Sequence, residues 1–182
     1  MRLQSLTHLI EVVCAVARPT RVLILGSSSL LPAHPDLGRP GQPLELTTDA
    51  DFLIEPVNEA LAESLQVAAG RESAFMSQFG CYADILRPAI VETLPAGWER
   101  RLHPVPGYPQ VFALDPYDLA MVKLIVGRQK DHDLLCALLK LGIIEPQRLR
   151  LHYQQTPLGE REAAIAGRNL HRLLVDPGYE RP

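Results

Sequence analysis

Two short stretches decide the fold of this chain, RVLILGSS at residues 21–28 and TDADFLI at residues 48–54. The first is an apolar run rich in branched side chains that ends at Gly26, a pattern typical of a buried strand that leads into a turn. The second predicts a strand that begins with polar residues and is closed by Glu55-Pro56. Together they predict a sheet with polar side chains where one strand ends and the next begins.

The elements around these strands follow from periodicity and from capping residues. Apolar residues at helical spacing predict an amphipathic helix over residues 4–17, and Asn58 caps a helix that follows the second strand. Further strands are predicted at residues 80–88 and 111–114, with a short edge strand at residues 91–94.

The last third of the chain is predicted to be helical. Asp115-Pro116 provides a cap and a first-turn proline for one helix, and Asp131 caps the next. Pro146 and Pro157 each suit the first turn of a further helix.

Prolines and glycines dominate residues 32–46, so a helix or a central strand is implausible there. We interpret this stretch as a surface loop. Its length is unusual within a compact domain, which points to a functional lip or a mobile segment.

Strands in the first part and helices in the last predict an α/β (α+β) fold. We expect a mixed, twisted sheet of about four or five strands, flanked by helices and followed by a helical C-terminal part. Residues 1–114 form the predicted sheet core with its N-terminal helix, and residues 115–182 pack on it in one compact unit.

The composition is that of a soluble globular protein, with 47% hydrophobic residues, 21% charged residues and a net charge of −3. Aromatic residues make up only 5%, which argues against a base-stacking surface for single-stranded nucleic acid. Residues 1–122 carry eight basic and fourteen acidic side chains, whereas residues 123–182 carry ten and seven. An acidic part beside a basic part suits metal-binding carboxylates and phosphate-holding cations, and ordinary surface variation is the alternative.

Three widely spaced cysteines, Cys14, Cys81 and Cys136, form no zinc or disulfide pattern. They predict buried, reduced thiols in a cytoplasmic protein. Glu11 interrupts the N-terminal apolar stretch, which predicts no secretion signal. The longest apolar runs fall short of the roughly 18 residues that a membrane span needs, so we expect no membrane partner.

Asp49 and Asp51 are the first candidate catalytic residues and metal ligands. Side chains alternate along a strand, so both carboxylates leave the same face. Two close negative charges repel each other unless a cation neutralises them, and Mg²⁺ or Mn²⁺ prefers carboxylate oxygens. Asp131 and Asp133 show the same spacing, so a structural or surface role for such a pair stays open.

Asp84 is the candidate third acid, because it interrupts an otherwise apolar strand where an unpaired carboxylate is costly. If that strand neighbours the one with Asp51, Asp84 completes a cluster that ligates metal or acts as a general base. The alternative is an ion pair with Arg87 or a position at an exposed edge.

Gly26, Ser27 and Ser28 are candidate nucleotide-binding residues. A glycine at the end of a strand permits close backbone approach, and serine hydroxyls with free N–H groups can hold a phosphate. A strand-to-helix joint also needs glycine for structural reasons alone.

Lys123, Arg128 and Lys130 are candidate phosphate-binding cations around Gly127, which allows a close approach. Lys123 and Lys130 are seven residues apart, hence on one face if a single helix persists. The alternative is a solvated basic helix end.

These segments resemble the nucleotidyltransferase superfamily, with GSS at residues 26–28, TDAD at residues 48–51 and Asp84 on a later strand. LDPYDLA at residues 114–120 and GRQKD at residues 127–131 are similar to a narrower bacterial group related to abortive-infection toxins of the AbiEii type. YADILRP at residues 82–88, LPAGWERRL at residues 94–102 and KL at residues 123–124 are also similar to that group.

The resemblance implies a minimal polymerase-β-like sheet and Mg²⁺-dependent use of a nucleoside triphosphate. It implies metal ligands at Asp49, Asp51 and Asp84, triphosphate contacts at Gly26 and Ser27, and a phosphate-steadying lysine at Lys123. It also implies that Asp131 is the acid of a later Arg/Lys–Asp motif at the nucleotide. In toxin relatives the acceptor is tRNA or protein, and an antitoxin is made alongside.

One departure concerns the gap from Ser27 to Asp49, which is longer than the superfamily usually shows. The intervening loop either shapes an acceptor site or moves the serine turn away from the carboxylates.

Two functions remain open from the sequence. The first is an enzyme that moves an NMP group from an NTP to a hydroxyl on RNA, protein or a small molecule. The second is a catalytically silent module of the same fold that binds nucleotide or an operon-encoded partner in a regulatory or toxin–antitoxin role. The apolar face of the first helix could also serve a homodimer.

Overall fold

A computed structural model describes residues 1–175 of the chain, so the last seven residues of the predicted C-terminal part lie outside the described residues. The helices are α1 (Leu3–Ala17), α2 (Glu59–Ala69), α3 (Ala74–Phe79), α4 (Pro116–Val126), α5 (Gln129–Lys140), α6 (Pro146–Gln155) and α7 (Glu160–Val175). The strands are β1 (Arg21–Ile24), β2 (Asp49–Glu55), β3 (Tyr82–Ile85), β4 (His103–Val105) and β5 (Tyr108–Ala113).

The five strands form one mixed sheet in the order β3-β2-β1-β5-β4. Strand β1 is antiparallel to β2 and parallel to β5, while β2 is parallel to β3 and β4 is antiparallel to β5. The predicted α/β class, with a mixed sheet of four or five strands and a helical C-terminal part, is confirmed.

The chain divides into two contact units, and the first contains the whole sheet. This unit consists of Met1–Val91 and Arg101–Asp115. Helix α1 contacts α2, β2 and β3, and it buries four side chains of its apolar face, Leu6, Leu9, Ile10 and Val13. On β2, Ala50, Phe52 and Ile54 are fully buried and face opposite to Asp49 and Asp51. The apolar core therefore lies behind the strand that carries the acids.

The second unit is helical and consists of Glu92–Arg100 together with the described residues from Pro116 onward. Helix α4 contacts α5, α6 and α7. The fully buried carboxylate of Asp118 on α4 lies 2.9 Å from Nε2 of His152 on α6, which ties these two helices together. The guanidinium of Arg148 covers the ring of Tyr117 at 4.6 Å from its centroid.

Residues 25–48 connect β1 to β2, and they are more ordered than a plain surface loop. Two 3-10 turns, Ser27–Leu30 and Pro35–Gly38, are the regular structure in this connection. Leu37 and Leu44 are buried in the core, and the amino group of Met1 donates to the carbonyls of Leu44 and Glu45. The prediction of a surface loop is thus wrong for these two leucines.

Three sequence predictions of local structure are wrong. The edge strand expected at residues 91–94 is not formed, because residues 91–93 belong to the 3-10 segment Pro88–Thr93. The two edge strands of the sheet are β3 and β4. Pro157 does not begin a helix, since α7 starts at Glu160 and the N–H of Gly159 donates to the carboxylate of Glu162.

The third error concerns Asp131, which is not the N-cap of α5. Arg128 occupies the N-cap, and Asp131 lies in the first turn, where its carboxylate accepts from the backbone N–H of Arg128 at 3.3 Å. Helix α3 was not expected from the sequence. Within residues 1–175, no helix combines the length and the apolar character needed to cross a membrane.

Candidate active site

The three candidate acids leave one face of two neighbouring parallel strands. The register of β2 and β3 pairs Asp51 with Asp84 and Asp49 with Tyr82. Because side chains alternate along each strand, Asp49, Asp51 and Asp84 share a face of the sheet. Asp49 and Asp51 are half-buried and Asp84 is exposed. The condition set by the sequence, that the strand with Asp84 neighbours the strand with Asp51, is met. The exposed position at an edge, which the sequence left as the alternative for Asp84, is also observed.

Gly26 lies directly against the carboxylate of Asp51. The backbone N–H of Leu25 donates to the carbonyl of Asp51 at 3.0 Å, so the end of β1 sits beside the start of β2. A Cβ atom on Gly26 would collide with Oδ2 of Asp51. The backbone of Gly26, with φ −86° and ψ −165°, is open to any residue. The glycine is therefore needed to leave room for the carboxylate.

The long connection between Ser27 and Asp49 does not separate the serine turn from the acids. Since β1 and β2 are antiparallel, the connection leaves and returns at the same end of the sheet. The 3-10 turn Ser27–Leu30 also contacts β2 directly. The alternative in which this loop moves the serine turn away from the carboxylates is therefore wrong.

The serines of this turn differ in access. Ser27 is half-buried, whereas Ser28 and Ser29 have exposed fractions of 0% and 3%. The hydroxyls of Ser28 and Ser29 have no hydrogen-bond partner among residues 1–175. Of the two serines predicted to contact the nucleotide, Ser27 has the accessible side chain, while Ser28 is enclosed.

Arg71 was missed by the sequence reasoning, although it lies beside the acids. It follows α2 in the turn before α3, and its Nη2 donates to Oη of Tyr82 at 2.6 Å. Tyr82 is the strand partner of Asp49 and precedes Asp84 by two residues on the same face. An exposed arginine after a glycine matches no recognisable motif. The place of Arg71 beside the acids becomes visible only through Tyr82 and the register of β3.

The predicted cations of the second unit are organised around a buried carboxylate. Asp131 is 2% exposed and lies 3.1 Å from Nζ of Lys123, while Nε and Nη2 of Arg128 donate to its two oxygens at 2.7 and 3.1 Å. Burial alone would raise the pKa of Asp131, but the bonds and charges of Arg128 and Lys123 outweigh it and hold the pKa below its usual value. Lys123, Arg128 and Asp131 thus form one cluster.

Lys130 does not share a helix face with Lys123, contrary to expectation. Helix α4 ends at Val126, Gly127 has φ +66° and Arg128 is extended, so a break separates the two lysines. Lys130 is exposed on α5. The close neighbour of Gly127 is Asn169, whose Nδ2 would collide with an added Cβ.

All three cysteines are described, and all three are present as thiols. Cys81 is buried as expected, whereas Cys14 and Cys136 are half-buried.

Residues 1–140 match a family model described as a nucleotidyltransferase of unknown function (DUF6036). The chain belongs to this nucleotidyltransferase family. The matched range contains the complete sheet and every candidate site residue from Gly26 to Asp131. No curated protein and no solved structure shows significant similarity to the chain. The expected membership of a nucleotidyltransferase family is confirmed, and the relation to toxins of the AbiEii type stays a prediction.

Proposed function

We propose that this member of the nucleotidyltransferase family transfers an NMP group from an NTP to a hydroxyl acceptor, with Mg²⁺ or Mn²⁺ as cofactor. The pairing of Asp51 with Asp84 across β2 and β3, with Asp49 on the same face, is the observation that carries the proposal. Ser27, whose side chain is accessible, lies close to these acids. It follows Gly26, which touches the carboxylate of Asp51.

The donor set fits a hard divalent cation, because Asp49, Asp51 and Asp84 offer carboxylate oxygens from one face. In their present positions, the side chains of residues 1–175 include no group of three His, Cys, Asp or Glu arranged to hold a metal ion. The proposal therefore requires these carboxylates to come closer together when an ion binds. The ion would supply positive charge to the triphosphate and polarise its phosphorus–oxygen bonds.

The chain's own residues have defined parts in the proposed reaction. The acceptor oxygen attacks the α-phosphorus, the bond from that phosphorus to the oxygen bridging to the β-phosphate breaks, and pyrophosphate leaves. Asp84 is exposed and can take the acceptor's proton before releasing it to water. Gly26 and Ser27 would contact the triphosphate.

The basic cluster of the second unit, taken by itself, keeps in this proposal the phosphate-holding role that the sequence predicts. Lys123, Arg128 and Lys130 would hold phosphate, with Asp131 fixing the first two. Lys123 has a side-chain exposure of only 11%, so it would act from a fixed position.

The decisive experiment measures transfer of label from an α-phosphate-labelled NTP to total tRNA, total protein or metabolites. We expect Asp51→Asn to abolish labelling while the protein stays folded, because the neutral amide is a much poorer ligand for a hard cation. Asp133→Asn is the matched control, since it makes the same change in the second Asp-x-Asp pair at an exposed side chain. Transfer by Asp51→Asn at the wild-type rate would sink the assignment.

A silent module of the same fold is the second candidate, and the ion pairs around Asp131 favour it. Lys123 and Arg128 already bind a carboxylate of the chain, which is a stabilising arrangement that needs no ligand. Titration of ATP, GTP, CTP and UTP with Mg²⁺ separates the two candidates by melting temperature. A ligand at 100 times its Kd stabilises a protein by about 2.7 kcal/mol, so the absence of any shift would favour the module.

The acceptor and the cellular role belong to the same proposal. We propose a cytoplasmic protein whose acceptor is tRNA, protein or a small molecule, with an operon-encoded partner if it acts as a toxin. Growth of cells that express the wild type or Asp51→Asn tests the toxin role. If toxicity depends on transfer, expression of the wild type arrests growth and expression of Asp51→Asn does not.

A further inference from the structure

The turn that carries Arg71 is held by a buried serine. Both the N–H and the hydroxyl of Ser73 reach the carbonyl of Gly70, at 3.1 and 2.7 Å. The same hydroxyl accepts from the N–H of Met76 at 3.1 Å and so caps α3. Ser73 is 5% exposed. These bonds close a turn over residues 70–73 and fix the backbone of Arg71.

The side chain of Arg71 is positioned by the ring of Tyr82. Its guanidinium carbon lies 5.0 Å from the ring centroid, and its Nη2 donates to the hydroxyl at 2.6 Å. Tyr82 is only 8% exposed and is held in β3, opposite Asp49. The guanidinium therefore has a rigid support beside Asp49 and Asp84.

The electrostatic surroundings of Arg71 agree with this placement. The hydrogen bond to Tyr82 is the largest cause that raises the pKa of Arg71, and the negative charges of Asp49 and Asp84 raise it further. An arginine at this place keeps its charge at every physiological pH.

A triphosphate beside three carboxylates needs more positive charge than one divalent cation supplies. Guanidinium presents five N–H donors in a planar fork that suits phosphate oxygens, and the bond to Tyr82 uses one of them. We propose that Arg71 is a further nucleotide-binding residue, whose guanidinium, held by Tyr82 beside Asp49 and Asp84, contacts phosphate oxygens of the bound NTP. This inference rests on the proposed function.

A purely structural role, in which Arg71 only neutralises the acids, makes an opposite prediction. Removal of a neighbouring positive charge strengthens the attraction of Asp49 and Asp84 for a cation. Under the proposal, Arg71→Gln therefore binds Mn²⁺ alone at least as tightly as the wild type, yet binds the metal–NTP complex more weakly. Under the structural role, the affinity for NTP does not fall.

The experiment measures Kd by calorimetry for Mn²⁺ alone and for the Mn²⁺ complex of whichever of ATP, GTP, CTP and UTP binds the wild type best. We expect Arg71→Gln to weaken NTP binding about tenfold or more, the scale of a lost hydrogen bond to a charged group. Arg71→Lys should recover only part of this loss, because an ammonium lacks the planar fork. Arg39→Gln is the matched control, since Arg39 is an exposed arginine of the same unit that pairs with Asp36.

Tyr82→Phe keeps the ring but removes the hydroxyl that orients Arg71. We expect it to weaken NTP binding less than Arg71→Gln and to leave the affinity for Mn²⁺ alone unchanged. NTP affinity in Arg71→Gln equal to that of Arg39→Gln overturns the inference and leaves the proposed function intact. If the wild type binds none of the four NTPs, the proposed function fails and the inference fails with it.

Discussion

At the scale of single residues, the contact between Gly26 and Asp51 links the serine turn to the acids. The glycine adopts an ordinary extended backbone, so its lack of a side chain matters only because the carboxylate occupies that space. Position 26 and position 51 are therefore coupled through one steric contact.

We expect Gly26→Ala to be destabilising by about 1–3 kcal/mol, the usual cost of forcing extra atoms into a packed site. The new methyl would have to push the Asp51 carboxylate aside, so binding of the metal–NTP complex should also fall. Urea unfolding and calorimetry measure the two effects.

Two further variants test whether the loss comes from this contact. Asp51→Ala combined with Gly26→Ala should be less destabilised than the sum of the single changes, since the clash is gone. Gly159→Ala is the matched control, because its added Cβ would meet only the Glu162 carboxylate at an ordinary 3.6 Å. Additive effects in the double variant would contradict the steric explanation.

At the scale of elements, the register of β2 and β3 decides which side chains meet. A slip by one residue would move a whole strand's side chains to the opposite face and would separate Asp84 from Asp51. The buried Ala50, Phe52 and Ile54 hold this register, because they would lose their place in the core.

The turn between α2 and α3 offers a prediction at the same scale. We expect Ser73→Ala to lower the free energy of unfolding by about 1 kcal/mol, the usual cost of a lost helix cap. It should also weaken NTP binding, because the turn that fixes Arg71 loses two of its hydrogen bonds. Urea unfolding and calorimetry again provide the measurements.

Asn58→Ala is the control for Ser73→Ala. Asn58 caps the opposite end of α2, where its side chain accepts from the N–H of Leu61 at 2.9 Å. We expect Asn58→Ala to lower the free energy of unfolding by about as much as Ser73→Ala does and to leave the affinity for NTP unchanged. Equal NTP affinity in both variants would show that the turn does not position Arg71.

At the scale of the whole molecule, the buried Asp131 makes stability depend on pH. The pKa of Asp131 in the folded protein lies below 3.8, the value for an unperturbed side chain. Its ion pairs therefore stabilise the fold fully above about pH 5, and this contribution is lost as the pH falls through the folded pKa. Unfolding monitored between pH 7 and pH 3 should show that loss.

Asp131→Asn should remove this part of the pH dependence and should destabilise the protein at pH 7 by about 3 kcal/mol, because Lys123, with a side-chain exposure of 11%, loses its carboxylate partner. Asp133→Asn serves as the control, since Asp133 has a side-chain exposure of 65% on the same helix. An Asp131→Asn protein with the wild-type pH dependence would contradict the assignment.

The sequence predicted the parts of the fold that depend on local chemistry. Apolar periodicity gave α1, and branched apolar runs gave β1 and β2. Asn58 was correctly identified as a cap, because its side chain acts within four residues. The sequence also placed the acids on strands, but it left open whether the strands with Asp51 and Asp84 are neighbours.

The errors and omissions arise where particular side-chain contacts, and not residue type alone, decide the structure. Pro157 has the right residue type for a helix start, yet Glu162 bonds to the N–H of Gly159 and α7 begins later. Arg71 acquires its place only through Tyr82, which is eleven residues away on β3. Asp131 resembled a cap, but the positions of Lys123 and Arg128 made it the centre of an ion-pair cluster.

The antiparallel pairing of β1 with β2 has a consequence for how this chain can diversify. Residues 27–48 begin and end beside Asp51, so a longer, shorter or exchanged segment leaves the spacing of the acids unchanged. Doubling the length of such a connection costs only about 0.6 kcal/mol in closure entropy. The segment can therefore vary among descendants as a replaceable rim that leaves the acids beneath it in place.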